Sequence, residues 1–154
     1  VTPQESDLTD FSLELMIACA RFTRLTRSLS EPEESLATWR ALATLSELGP
    51  LRITHLARAE MLTQPAATAL VNKLTTLGLA ERVADAEDAR VVLVRLTPAG
   101  REHLTLVRHR VAARLAPHMA ELDASDRQLL HDAAALLVSV TSTSKHPTEP
   151  SIGA

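Results

Sequence analysis

The chain is poor in sulfur, rings and glycine. Of 154 residues, one is Cys, three are aromatic (Phe11, Phe22 and Trp39) and none is Tyr. A lone cysteine cannot close an internal disulfide, which excludes the disulfide-stapled small domains and fits a reducing compartment. Four glycines, at 49, 78, 100 and 153, leave no glycine-rich loop to cradle a phosphate. No apolar run is longer than the six residues 15–20 and 133–138, too short for a membrane span. The polar, acidic beginning lacks the basic and apolar regions of a secretory leader, so a cytoplasmic protein is expected. The six His, at 55, 103, 109, 118, 131 and 146, include no pair four residues apart, and no second Cys joins them. No metal or other cofactor is therefore expected. Asp85, Glu87 and Asp88 lack the glycine and alternating oxygens of a calcium loop. No Ser, His and Asp combination has a nucleophile context, and an enzyme is not expected.

What is present is a core. Hydrophobic residues make up 45% and charged residues 23%, ample for one packed domain with helical extensions. The net charge is −3, which argues against a generally basic surface. Its distribution is uneven: residues 1–50 hold four basic and eight acidic groups (−4), residues 51–97 six and five (+1), and residues 98–154 six of each. Only the middle third is positive, and weakly.

Leu8, Phe11, Leu15, Ala18, Phe22, Leu25 and Leu29 alternate three and four apart, a single helical stripe that suits either a core face or a seam with a partner helix. Pro32, among Glu31, Glu33 and Glu34, breaks it. Ser35 is an N-cap for a helix from Leu36 to Leu48, with Leu36, Trp39, Leu42 and Ala43 turned inward, and Gly49-Pro50 stops it. Thr54 is read as capping a short helix to Glu60. Met61 and Leu62 turn the chain, and Thr63 caps a helix from Gln64 to Leu77, where Pro65 is tolerated in the first turn. Ala66, Leu70, Leu74 and Leu77 form its predicted inner face. Gln64, Thr68, Asn72, Thr75 and Thr76 form the outer one, with Lys73 at its edge. That outer face offers hydrogen-bonding tips and no large apolar group, as a DNA groove requires and as a solvated face also allows.

From Leu79 the period shortens to two. Residues 79–83 and 91–96 read as strands around a polar loop. Two helices in a tight turn followed by a hairpin make a winged helix-turn-helix. Thr97-Pro98 opens another helix to Leu122, which Pro117 should kink or interrupt. Asp123 caps a last helix whose apolar arc, from Leu129 to Val140, suits burial on two sides. The fold class is thus mainly α, with a two-stranded wing and long terminal dimerisation helices. The expected organisation is a disordered lead (1–7), a dimerisation helix and linker (8–34), the winged unit (35–97), C-terminal dimerisation helices (98–140) and a disordered tail (141–154).

Residues Thr63-Gln64-Pro65-Ala66-Ala67-Thr68-Ala69-Leu70-Val71-Asn72-Lys73-Leu74, and Asp85 to Arg90 leading through Leu96-Thr97-Pro98-Ala99-Gly100, resemble the MarR family of bacterial regulators. Trp39-Arg40-Ala41-Leu42 is similar to its second-helix motif. The resemblance spans residues 8–140. It implies a homodimer with interlocked terminal helices, two winged units on a pseudo-palindromic operator, and repression relieved by a small molecule. Two positions depart from the family pattern: Ala69 stands where Arg is common, and Asn72-Lys73 where Asp-Arg is common. Both bear on the operator sequence rather than on the class.

On this reading Thr63, Gln64, Pro65, Thr68, Asn72, Lys73, Asp88 and Arg90 form the DNA site. Backbone N–H groups at the start of the 64–77 helix and Lys73 hold phosphates. Gln64 and Thr68 reach base edges, and Arg90 enters the minor groove with its guanidinium oriented by Asp88. The family's effector pocket would be lined by Met16, Ala20, Leu36, Trp39 and Arg40, which ordinary packing at a hinge would also place together. Cys19 is either a small buried hydrophobe or, as in a peroxide-sensing branch of the family, a reactive thiol; that branch's supporting tyrosines are missing here. A winged-helix module that binds protein instead of DNA is the remaining alternative.

Overall fold

A computed structural model describes residues 3–30 and 35–143. Six helices and three short strands follow in the order α1 (Pro3–Ser28), α2 (Leu36–Leu48), β1 (Leu51–Arg52), α3 (Ile53–Ala59), α4 (Gln64–Thr76), β2 (Ala80–Ala84), β3 (Val92–Leu96), α5 (Pro98–Ala120) and α6 (Ala124–Thr143). The chain forms two compact units, one up to Arg114 and one from Leu115.

In the first unit the core lies between α2, α3, α4, the sheet and the start of α5. Leu42, Leu56, Val71, Leu74, Val94 and Leu104 are fully buried there. Burying a side chain of this size contributes roughly 1.5–3 kcal/mol. The sheet is antiparallel in the order β1-β3-β2. Leu51 pairs with Val94 on one side of β3, and Glu81 with Arg95 on the other, where their side chains form an ion pair at 2.9 Å. The wing is therefore three-stranded at its base. A strand of two residues has no readable period, so β1 was not foreseen.

That strand also changes the next helix. Once Leu51 and Arg52 are committed to β3, α3 begins at Ile53 with Arg52 as its N-cap, and Thr54 lies inside the helix instead of capping it. Glu60 closes α3 and is buried. Its carboxylate accepts from Arg40 Nε at 3.0 Å and Thr44 Oγ1 at 2.5 Å, so both oxygens are occupied and α2 is tied to the end of α3. Gly49 ends α2 with φ +79°, a conformation glycine adopts without a Cβ penalty.

Residues 3–7, expected to be disordered, continue α1. The proline of this polar stretch stands at the first helical position, where its missing N–H has no intrahelical partner, so extending the helix to it costs little. The stripe on α1 is largely exposed, with Phe11 at 59% and Phe22 at 50%. The 31–34 linker and residues 144–154 lie outside the described residues.

In the second unit α6 carries Leu129, Leu130, Leu136, Val138 and Val140 exposed among the described residues, so the broad apolar arc is present. Asp123 caps it, accepting from the Asp126 N–H at 2.8 Å. Pro117 does not interrupt α5, which ends three residues later at Ala120. A proline this close to a helix C-terminus removes one hydrogen bond and disturbs only the last turn.

Candidate nucleic-acid interface

The site is built on α4 and the wing. Thr63 caps α4, its Oγ1 accepting from the Ala66 N–H at 3.4 Å, and Pro65 sits in the first turn, where its missing N–H has no intrahelical partner. The buried face is Ala67, Leu70, Val71 and Leu74. Ala66 and Leu77, assigned inward from spacing, are exposed; Leu70 and Leu74 are buried as expected, and Ala67 and Val71 complete a face turned slightly around the helix.

This rotation resets the outward face. Gln64, Pro65, Ala66, Ala69, Asn72, Lys73 and Thr76 are exposed along it. Thr68 and Thr75 are half-buried at its sides. The Thr68 hydroxyl donates to the Gln64 carbonyl at 2.9 Å, which leaves its lone pairs and methyl for a ligand. Thr75 Oγ1 donates to the Asn72 carbonyl at 2.9 Å. The centre of the face is thus small and apolar at Ala66 and Ala69, with amides and a cation around it. Such a surface permits close approach to a groove floor and contact with thymine methyls.

Asp88 and Arg90 come together, but not as a side-chain fork. Asp88 Oδ1 accepts from the Arg90 backbone N–H at 3.0 Å, and the Asp88 carbonyl accepts from the Val91 N–H at 2.9 Å. Asp85 Oδ1 likewise takes the Glu87 N–H at 2.8 Å. In a loop whose backbone groups have no strand partner, the nearest N–H outcompetes a mobile guanidinium for a short carboxylate. The consequence is chemical: two acids that would repel a phosphate are turned into the wing's own backbone. No ion pair or hydrogen bond holds the Arg90 guanidinium among the described residues.

Arg82 is the residue that sequence reasoning missed. It projects from β2 and donates through Nη2 to Asn72 Oδ1 at 2.8 Å. The alternation of β2 was readable, but nothing in the sequence said that this strand lies against α4.

The residues assigned to a ligand pocket differ in exposure. Met16 and Ala20 are exposed on α1, and Leu36 is half-buried at the start of α2. Trp39 and Arg40 line a cavity of about 280 Å³ with Ala43, Thr44, Glu47, Ala59 and Glu60. A larger one, of about 360 Å³, includes Thr38, Trp39, Lys73, Leu79, His103 and Val107 in its wall. Thr38 Oγ1 and Trp39 Nε1 are buried there without a hydrogen-bond partner. Cys19 is half-buried and in no disulfide. No group of three or more His, Cys, Asp or Glu positioned for a metal occurs among the described residues, and no helix among them is long and apolar enough to cross a membrane.

Comparison with known proteins agrees with this geometry. Residues 35–92 match the model of the MarR family. An HTH-type transcriptional regulator of Mycobacterium bovis is 31% identical over 133 residues, 85% of this chain and 92% of that protein. A transcriptional regulator of Pseudomonas aeruginosa superposes with a TM-score of 0.71 at 26% identity, over 92% of this chain and 98% of that one. A MarR family protein of Bacillus stearothermophilus does so with a TM-score of 0.66 at 21% identity, over 90% and 97%.

Proposed function

The chain belongs to the MarR family of transcriptional regulators, and from that premise we propose that it is a homodimeric, cytoplasmic repressor that leaves a pseudo-palindromic operator when a small molecule binds. It acts by binding and catalyses no reaction. The observation that carries the reading is the pairing of two surfaces: the outward face of α4, edged by Lys73, and a wing in which Asp85 and Asp88 accept from the loop's own backbone N–H groups while the Arg90 guanidinium has no ion pair or hydrogen bond among the described residues. Helix α4 enters the major groove, with its N-terminus at Thr63 and Pro65 and the Lys73 ammonium facing phosphate, and Gln64, Thr68 and Asn72 at base edges. Arg90 enters the flanking minor groove, where negative potential favours a guanidinium, and Asp88 holds the loop that carries it.

Dimerisation supplies the second half-site. The apolar stripes of α1 and α6, each largely exposed among the described residues, are the surfaces for a second copy. The effector site that fits is the 360 Å³ cavity, whose wall brings Trp39 together with Lys73 and His103. Lys73 belongs both to the cavity wall and to the exposed edge of α4. A ligand that engages it there withdraws a cation from DNA.

Electrophoretic mobility shift with duplexes from upstream of the protein's own coding region tests the reading. A complex of two chains per duplex is expected, weakened by about 1–3 kcal/mol on Arg90→Ala. Absence of binding to every duplex, from a protein that is folded and dimeric, would favour a winged-helix protein-interaction module instead.

A further inference from the structure

Asn72 and Arg82 meet across the junction of helix and wing, Arg82 Nη2 lying 2.8 Å from Asn72 Oδ1. Both side chains are exposed, Asn72 on the outward face of α4 and Arg82 on β2. A guanidinium carries donors only, so the amide atom that faces it must be the oxygen. That fixes the orientation of the Asn72 amide, which geometry alone leaves ambiguous. Its NH2 group, with two donors, is then directed away from Arg82.

The bond is also charge-assisted, roughly twice as strong as one between neutral groups. No carboxylate pairs with Arg82 among the described residues. The adjacent Glu81 is taken by Arg95 at 2.9 Å.

We propose that Arg82 is a positioning residue for base recognition: by holding the Asn72 oxygen it makes the Asn72 amide a donor-only reader, matched to the N7 and O6 acceptors of guanine in the major groove. The inference rests on the reading of α4 as the groove-facing helix. An unrestrained Asn pairs with adenine, its oxygen accepting from N6–H and its NH2 donating to N7. With that oxygen turned to Arg82, which takes one of its two lone pairs, the amide no longer offers oxygen and NH2 side by side to one adenine, and the bidentate pairing is lost. The guanine edge asks for no acceptor, since it presents two acceptors itself. The charge of Arg82, not neutralised by an acid, adds a phosphate-directed attraction that salt screens.

Selection of duplexes from a randomised pool by the full-length protein tests this. The wild type is expected to enrich one guanine at a fixed place in each half-site. Arg82→Ala, an exposed substitution that leaves the melting temperature in place, is expected to lose that preference or exchange it for adenine. Its affinity for the duplex selected by the wild type should fall about tenfold. In an Asn72→Ala background the same substitution should alter only the salt dependence and no base preference. Arg82→Ala selecting the same guanine with the same strength, or acting equally in the two backgrounds, would overturn the proposal. A wild type that enriches no sequence would overturn the reading of α4, and this inference with it, and that outcome is distinct from the first.

Discussion

Thr97 holds Gly78. Its Oγ1 donates to the Gly78 carbonyl at 2.6 Å, and the same oxygen accepts from the Gly100 N–H at 3.0 Å. One hydroxyl therefore satisfies a carbonyl just beyond α4 and caps the start of α5. The Thr97 N–H goes to the Leu79 carbonyl at 3.2 Å, and Gly100 is packed on that same carbonyl. Helices α4 and α5 thus share one rigid joint.

The joint has no room for a methyl group. A Cβ on Gly100 would lie 1.9 Å from the Leu79 oxygen, a backbone atom that cannot swing aside. Gly100→Ala is expected to cost about 3 kcal/mol, at the upper end for an overpacked core. Thr97→Val, which removes only the hydroxyl, should cost roughly 1–2 kcal/mol. Urea midpoints of the two variants check the order.

The wing and the helix edge should fail differently on DNA. Arg90→Ala is expected to weaken operator binding by about 1–3 kcal/mol with fold and dimer intact. Lys73→Ala should instead lower the slope of log affinity against log salt by about one unit per half-site. Fluorescence anisotropy at two salt concentrations separates them. An Arg90→Ala protein with unchanged affinity would show that the wing does not touch DNA.

The apolar faces of α1 and α6 should be lost together with the monomer state. Sedimentation is expected to show a dimer at micromolar concentration, and Phe11→Asp or Leu136→Asp, each at a site more than half exposed in one chain, should dissociate it. A folded, stable wild-type monomer at that concentration would refute the proposal.

One pH effect follows at α6. The Asp126 N–H, and after it the Ser125 hydroxyl at 2.7 Å, hold the Asp123 carboxyl below the usual carboxylate range. A lowered folded pKa means the cap contributes fully above the ordinary Asp value and is lost as pH falls through the lowered one. Amide exchange at Ser125 and Asp126 should therefore quicken only at strongly acid pH, relative to the intrinsic rates. In Asp123→Asn, which caps without titrating, that acid step should vanish.

What sequence could say followed from how local each signal is. Thr63-Gln64-Pro65 and Thr97-Pro98 announce helix starts because cap and first turn lie within four residues of each other, and both helices begin there. The phase of α4 was legible only to within one residue, since Ala66 and Ala67 are equally fit for either side. Position 54 was misread because the choice of cap was made elsewhere, by the pairing of β1 with β3. Arg82 escaped because its partner lies on another element, a tertiary fact with no echo in spacing. The acids of the wing were legible as a loop but not as backbone ligands, since Asx turns depend on which N–H groups the strands leave unpaired.

Met61, in the turn between α3 and α4, combines φ +54° with 91% exposure. A left-handed backbone costs an ordinary residue roughly 1–2 kcal/mol, and here almost no side-chain packing offsets it. Substitutions at this position would therefore rank by backbone preference alone, Gly and Asn above Met and β-branched residues below it. The angle between the two helices does not depend on that ranking, because it is set by the buried Leu56, Leu70 and Leu74. A substitution in this turn should therefore shift stability through its backbone preference while the packing of α3 on α4 stays as it is.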